Sequence, residues 1–377
     1  MHAPDEEGAL TVALATLTGS CVAGTAGSGP PTAGSEVVVA WNDLVLAVAE
    51  AEDRFLTLKG LRTATMMHLA MHDAVNAVAP RFEPFLESPA APRGDGWDTE
   101  AEYEWHPMAP GVYAEFSAHS GTPEGFVFGA GWARARPFLV DRADRFRSPP
   151  PPPVNGPDYA RAFAEVKEVD RFASTSRTDD QTHLAMWWKE FVEKSHNRLA
   201  RELAVAEGLD LWQAARLFAL LDAAVYDGYV AVFADKFRYD HWRPYTAIRW
   251  AAHDGNPATD EDPTWDNTHR HTYPFPSYPS AHGTACAAAM TVLAEVFGDD
   301  RPVTMTTPEV DAAGPLLEKV PMDPPTRSFP SFSAAAEECA LSRVYLGIHF
   351  RYDSVAGNRL GRQIGRYALE GYLRPAG

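Results

Sequence analysis

Lys236, Arg243, Ser280, His282, Arg343, His349 and Asp353 fall in three separate stretches of the second half of the chain. Three fixed cations, a hydroxyl and two imidazoles are the parts needed to grip a tetrahedral oxyanion such as phosphate and do chemistry on it. A five-coordinate transition state at such a centre spreads negative charge over equatorial oxygens, and fixed cations and N–H groups stabilise that charge. The middle stretch, Pro274 to Gly283, is a Pro-rich loop that runs into a helix. The run from Thr284 to Phe297 is rich in alanine and stops at Gly298, the residue type favoured just past a helix end. Ser280, the Ala281 N–H and the His282 ring are therefore expected at a helix N-terminus, where free N–H groups and the helix dipole favour anions.

These stretches resemble the vanadium-dependent haloperoxidases, within the wider type 2 phosphatidic acid phosphatase superfamily. Trp242-Arg243-Pro244, Pro274 to His282, and Ser342 to Asp353 with Leu346-Gly347-Ile348-His349-Phe350 carry the resemblance, and look most like the haloperoxidase branch. The resemblance implies that Lys236, Arg243, Ser280, the Ala281 N–H and Arg343 hold the equatorial oxygens. It gives His349 the apical bond, to the vanadium of vanadate or to phosphorus as nucleophile. It gives His282 the opposite apex, as general acid–base. Where this chain has Ala281 the family usually has glycine; the backbone N–H is kept, provided φ is negative there. Asp353 either orients His349 through its other ring nitrogen or caps the last helix, and the cap is the favoured reading. Phe275 stands where the family's fungal chloroperoxidases also have phenylalanine, which implies an apolar wall for a halide.

Two activities follow from the resemblance. One is halide oxidation by hydrogen peroxide with vanadate as cofactor and an organic acceptor for the halogen. The alternative is a cofactor-free acid phosphatase that cleaves phosphate esters through a phosphohistidine. Both use the same residues, so the sequence separates them only through family similarity. A non-catalytic phosphate binder is disfavoured because histidines stand in both apical roles.

The elements that must position these residues read as helices. Leu211 to about Phe233 is apolar on nearly every side, as a central helix is, and starts at Asp210 with Gln213 three residues on, a capping box. It leads to Lys236. Asp222, Asp227 and Asp235 interrupt its apolar surface; buried carboxylates need partners, and at least one is expected to pair with Arg243 or Arg343. Further helices are expected over Trp41–Val78, Tyr159–Val169, Thr182–Ala206, Ser333 to about Leu346, and after Asp353. Gly357, Gly361 and Gly365 share one face of the last, where they allow close packing. Pro80–Pro110, the aromatic segment Gly121–Val140, the polyproline run Pro149–Pro153 and Arg301–Phe332 read as loops or irregular structure. The fold expected is one all-α helix-bundle domain over residues 36–377, of the haloperoxidase/acid phosphatase type, with long Pro/Gly-rich loops.

A net charge of −18 excludes nucleic acid and anionic membranes as the main partners and makes the local basic cluster stand out. No run of 18 apolar residues predicts a transmembrane segment. The expected partners are small molecules, and a homodimer is allowed. Residues 1–35 read as a leader or disordered tail: Ala9–Ala26 looks like the apolar part of a signal peptide without its basic start, and export is the expected localisation. Cys286 and Cys339 lie four residues after His282 and four before Arg343; they are expected to be buried apolar side chains rather than a disulfide, and neither has zinc-ligand spacing. His68 and His72 read as core histidines bonded to other helices, and His241, His269 and His271 as loop histidines.

Overall fold

The computed structural model describes residues 34–53, 58–85, 118–121, 127–313 and 318–376. They form an all-α unit with ten helices among the described residues: α1 (Glu36–Asp53), α2 (Lys59–Val78), α3 (Pro157–Val169), α4 (Asp179–Trp187), α5 (Val192–Ala206), α6 (Leu211–Tyr239), α7 (Pro244–Arg249), α8 (Ala281–Phe297), α9 (Phe332–Tyr345) and α10 (Arg351–Gly371). The expected leader lies outside the described residues, as do residues 86–110 of the expected loop region and 122–126 of the aromatic segment.

The α6 helix is the axis. Its capping box forms as expected: the Asp210 carboxylate accepts from the Gln213 N–H and the Gln213 side chain accepts from the Asp210 N–H, both at 3.0 Å. The segment Leu211–Arg249 is long and apolar enough to cross a membrane, but 94% of its apolar window is packed inside protein, so it reads as the core helix of a bundle. It packs against α2, α8 and α10, and it continues to Tyr239, which places Lys236 inside its last turn.

The three aspartates on α6 do not meet the expected arginines. Asp222 bonds His68 (2.7 Å) and Asn197 (2.8 Å). Asp227 accepts the backbone N–H groups of Phe138, Leu139 and Val140. Asp235 accepts from the Ser148 N–H and Arg147. Each carboxylate faces a segment wrapped on α6 and satisfies polar groups there that would otherwise be buried without partners. His68 is thus a core histidine, as expected, and His72 pairs with its neighbour Asp73.

Other boundaries move for local reasons. Thr182–Ala206 is two helices, α4 and α5, separated by Trp188–Phe191. Between Arg301 and Phe332 the chain forms β1 (Val303–Thr306), β2 (Glu309–Asp311), β3 (Lys319–Pro321) and β4 (Thr326–Phe329), with β1 pairing β4 and β2 pairing β3, both antiparallel. The signal was the alternation of Val303 and Met305, buried, with exposed Thr304. The α9 helix is capped by Ser331, whose hydroxyl accepts from the Ala334 N–H, not by Ser333.

The glycine stripe does what its spacing implies. A Cβ on Gly357 would overlap the Ser280 carbonyl, and one on Gly361 the Thr284 carbonyl. The α10 backbone therefore lies directly on the first turns of α8. Cys286 and Cys339, expected to be unbonded, form a disulfide between α8 and α9. Each sits on the buried face of its helix, and their Cα atoms are 6.6 Å apart, within disulfide reach. Replacing Gly361 with alanine should destabilise the protein by about 1–3 kcal/mol, because the backbones must part; urea unfolding measures this, and an unchanged midpoint would contradict the packing.

Candidate active site

Three connected segments deliver the site. Ser280 is the N-cap of α8: its hydroxyl accepts from the Gly283 N–H at 3.2 Å, and its own N–H donates to the Asp353 carbonyl at 2.9 Å. Ala281 opens the helix, and it is not among the positive-φ residues, so the expected tolerance of alanine at this position holds. Arg243 caps α7 in an extended conformation, with Pro244 in the first turn. His349 lies in the turn between α9 and α10. That turn depends on Gly347, at φ 78, where a side chain would collide with Asn267 and the Asp170 carbonyl.

The basic side chains converge on the Pro274–Pro279 loop. Lys236, fully buried, donates to the carbonyls of Pro276 (2.8 Å) and Ser277 (2.7 Å). Arg243 donates through Nε to the Phe275 carbonyl (2.9 Å) and through Nη1 to the Ile348 carbonyl (3.0 Å), and Nη1 lies 3.2 Å from His349 Nε2. The Phe275 ring lies 5.3 Å from the Lys236 ammonium and 4.7 Å from the Arg243 guanidinium carbon, so it lines both cations as an apolar wall. Arg343 is buried beside Tyr273 and Tyr229. His282 keeps some exposure and meets the Trp188 backbone.

Asp353 has both of the roles weighed for it. Its Oδ2 accepts from His349 Nδ1 at 2.9 Å and from the Phe350 N–H at 3.1 Å, so it orients the ring and caps α10 together. The Ser277 hydroxyl donates to the same oxygen at 2.5 Å and lies 3.3 Å from His349 Nδ1. With Nδ1 donating to a carboxylate, the neutral ring presents its Nε2 lone pair on the side of the cations.

The electrostatics agree with that tautomer. Burial, followed by Arg243, Lys236, Arg343 and His282, holds His349 well below the usual histidine value. Burial and then Arg343 do the same to His282. Burial, then Arg243, lowers Lys236, and burial lowers Arg243 to about 9, still protonated at neutral pH. Burial pushes Asp353 up to about 6. The cationic groups here would be better satisfied by a trapped anion. Arg243 Nη2, Arg343 Nε and Nη1, and His282 Nε2 are buried and have no protein partner. Buried donors are rarely left that way. The donor set, with first-turn N–H groups of α8 beside it, fits a tetrahedral oxyanion, vanadate included.

Residues 216–376 match the family model described as the VCPO second helical-bundle domain. This segment contains all the residues just described. The site-bearing segment is thus similar to the helical-bundle domain of the vanadium chloroperoxidases. A vanadium chloroperoxidase from Curvularia inaequalis is 29% identical over 53% of this chain and 40% of that protein, so the chain spans less than half the length of this relative. The fold is that of a bacterial vanadium-dependent iodoperoxidase: TM-score 0.66 at 21% identity, covering 93% of this chain and 99% of the other. A holo-type bacterial vanadium-dependent chloroperoxidase superposes with TM-score 0.52 at 20% identity, over 65% of this chain and 54% of the other.

Sequence reasoning missed several residues of this site. Ser277 lies inside the quoted loop, but only the fold shows that its hydroxyl meets Asp353. Tyr229 and Tyr273 reach Arg343 from α6 and from the loop before Pro274. His269 and His271, expected to be loop histidines, do lie in that loop but are buried, with rings 5.6 and 5.0 Å from Tyr273. His241 is buried and bonds the Tyr352 hydroxyl at 2.6 Å. No sequence signal marked these.

The geometry predicts that the His349 ring is neutral in the anion-free protein at pH 6, because a depressed pKa keeps the proton off until the pH falls further. Nitrogen NMR should show Nδ1 protonated and Nε2 bare; a doubly protonated ring at pH 6 would contradict the arrangement. Ser277→Ala should cost about 1–3 kcal/mol, since it removes a buried hydrogen bond to a carboxylate.

Proposed function

We propose that this chain is a vanadium-dependent haloperoxidase that binds vanadate through His349 and uses hydrogen peroxide to oxidise halide. One observation carries the reading: His349, its Nδ1 held by Asp353 and its Nε2 turned to Arg243, is buried in a cluster where Arg243 Nη2, Arg343 Nε and Nη1 and His282 Nε2 lack protein partners. The family match of the segment that holds them turns an oxyanion site into a haloperoxidase proposal. Bound vanadate would supply the activation of peroxide toward halide. The protein's part is to hold and shift charge and protons. Lys236, Arg243 and Arg343 would hold the anion and balance its charge, with the Ser280 hydroxyl and the Ala281 N–H as further donors at the α8 terminus. Asp353 fixes the His349 tautomer. His282 would serve as the acid–base residue that gives and takes protons beside the bound anion. Phe275, with Phe128 and Phe233 at 5.7 and 5.4 Å, forms an apolar wall beside the cations that lowers the local dielectric around a halide.

The same residues could run phosphate-ester hydrolysis, with His349 as nucleophile and His282 protonating the leaving group. The test separates the two. Purified protein should take up vanadate and then brominate an organic acceptor in the presence of peroxide; phosphatase activity without vanadium uptake would favour hydrolysis instead. We also propose export: the disulfide is of the kind that persists in oxidising compartments.

The two histidines should fail differently on mutation. His349→Ala should lose the apical bond and weaken vanadate binding, while the cations still hold the anion loosely. His282→Ala should keep most affinity and lose turnover by about 10²–10⁴-fold. Vanadate titration and bromination rates on both variants check this; wild-type affinity and activity in His349→Ala would remove the apical assignment. Arg343→Ala should bind the anion more weakly than Arg243→Lys, because it deletes a charged donor fork that lysine only distorts.

A further inference from the structure

The disulfide lies within the site. Cys286 is one helical turn after His282 on α8, and Cys339 is one turn before Arg343 on α9, so each shares a helix face with a residue of the oxyanion pocket. One ring nitrogen of His282 and both sulfurs lie within 4.8 Å of one another. Both cysteines are fully buried, whereas His282 as a residue keeps some exposure.

We propose that Cys286, Cys339 and His282 form a redox-gated site for a thiophilic divalent cation such as zinc. In the disulfide state the sulfurs carry no charge and cannot ligate a metal, and His282 is free to act on the oxyanion. Two-electron reduction gives two thiols. As thiolates they join the His282 nitrogen as three soft ligands on two helices held in place by the bundle. Tetrahedral zinc with such ligands sets its donor atoms about 3.5–3.8 Å apart. The two sulfurs, bonded in the disulfide, must part to reach that spacing, and Cα atoms 6.6 Å apart leave room for this by side-chain rotation, with the His282 nitrogen within 4.8 Å. The two thiolate charges balance the ion despite the nearby Arg343, and the fourth position opens toward the pocket, for water. In this state His282 is committed to the metal and is withdrawn from proton transfer.

The device gives a newly made chain a resting state. In a reducing compartment the dithiol binds zinc and the acid–base residue is masked. Hydrogen peroxide, the oxidant the proposed reaction consumes, closes it: one thiolate attacks peroxide to give a sulfenic acid and water, and the second displaces hydroxide to form the disulfide. The sum is two thiolates, one peroxide and two protons giving one disulfide and two waters, with release of the zinc ion. The role of His282 in catalysis rests on the function proposed above, but zinc capture does not, so the two can fail separately.

The test is direct metal binding to full-length protein, oxidised or reduced and then freed of reductant anaerobically. Reduced protein that keeps its helical circular dichroism should retain about one zinc ion per chain after desalting, with tetrahedral cobalt absorption and thiolate charge transfer when cobalt replaces zinc. Oxidised protein should retain none. Adding peroxide to the zinc form should release the metal and remove two of the chain's three thiols. His282→Ala should weaken zinc binding by roughly 10–100-fold, and Cys286→Ser, which cannot form the disulfide, should bind weakly whatever its redox treatment. A reduced chain that takes up no zinc, folded or not, overturns the proposal. So does equal uptake by oxidised protein, or undiminished uptake by His282→Ala.

Discussion

The interaction on which the rest depends is the pairing of His349 Nδ1 with Asp353. It fixes which ring nitrogen faces the cations, and it places a carboxylate inside a cluster of buried positive charge. Without it the ring could turn or take up a proton, and the site would lose its one lone pair. The pairing is itself held from both sides, by the Ser277 hydroxyl and the Phe350 N–H on the same oxygen. The Asp353 backbone carbonyl in turn receives the Ser280 N–H. A single residue thus ties the start of α10, the start of α8 and the loop that precedes α8.

A cluster of buried cations is costly in an empty protein. The structure offsets part of that cost with backbone carbonyls: Lys236 on Pro276 and Ser277, Arg243 on Phe275 and Ile348. Neutral dipoles can solvate these charges but cannot cancel them, and burial first, then the neighbouring cations, moves the pKa values of Lys236, His282 and His349 down. A protein built this way stores affinity for an anion. The proline-rich loop suits the task, since its carbonyls point at the cations and its prolines lack N–H groups that would repel them.

The scaffold keeps these parts in register through close contacts rather than through loops. The glycines of α10 let its backbone touch the carbonyls of Ser280 and Thr284, and the disulfide joins α8 to α9. Slippage of α10 along α8 would move His349 and Asp353 away from Ser280, and the close glycine contacts between the two helices oppose it. Around this body the aspartates of α6 anchor the irregular 138–148 segment and the α2 and α5 helices, leaving Arg243 and Arg343 with no carboxylate from α6.

Much of this was legible in the sequence, because local chemistry determined it. The capping box at Asp210, the Ser280 cap, the stop at Gly298 and the glycine face of α10 are short-range patterns, and the helices they delimit formed where expected. The three stretches named basic and imidazole side chains that the fold gathers in one buried cluster, while their roles came from the resemblance. Tertiary structure decided what depends on residues far apart in the chain. Whether Asp353 orients His349 or caps α10 could not be read locally, since it does both and Ser277 completes it from 76 residues away. The α6 aspartates were misread for the same reason: a buried carboxylate announces that it needs a partner, not which of several distant donors will reach it. The cysteines are the sharpest case. A spacing of 53 residues says nothing about a bond, and only the packing of α8 on α9 brings the two sulfurs together beside His282.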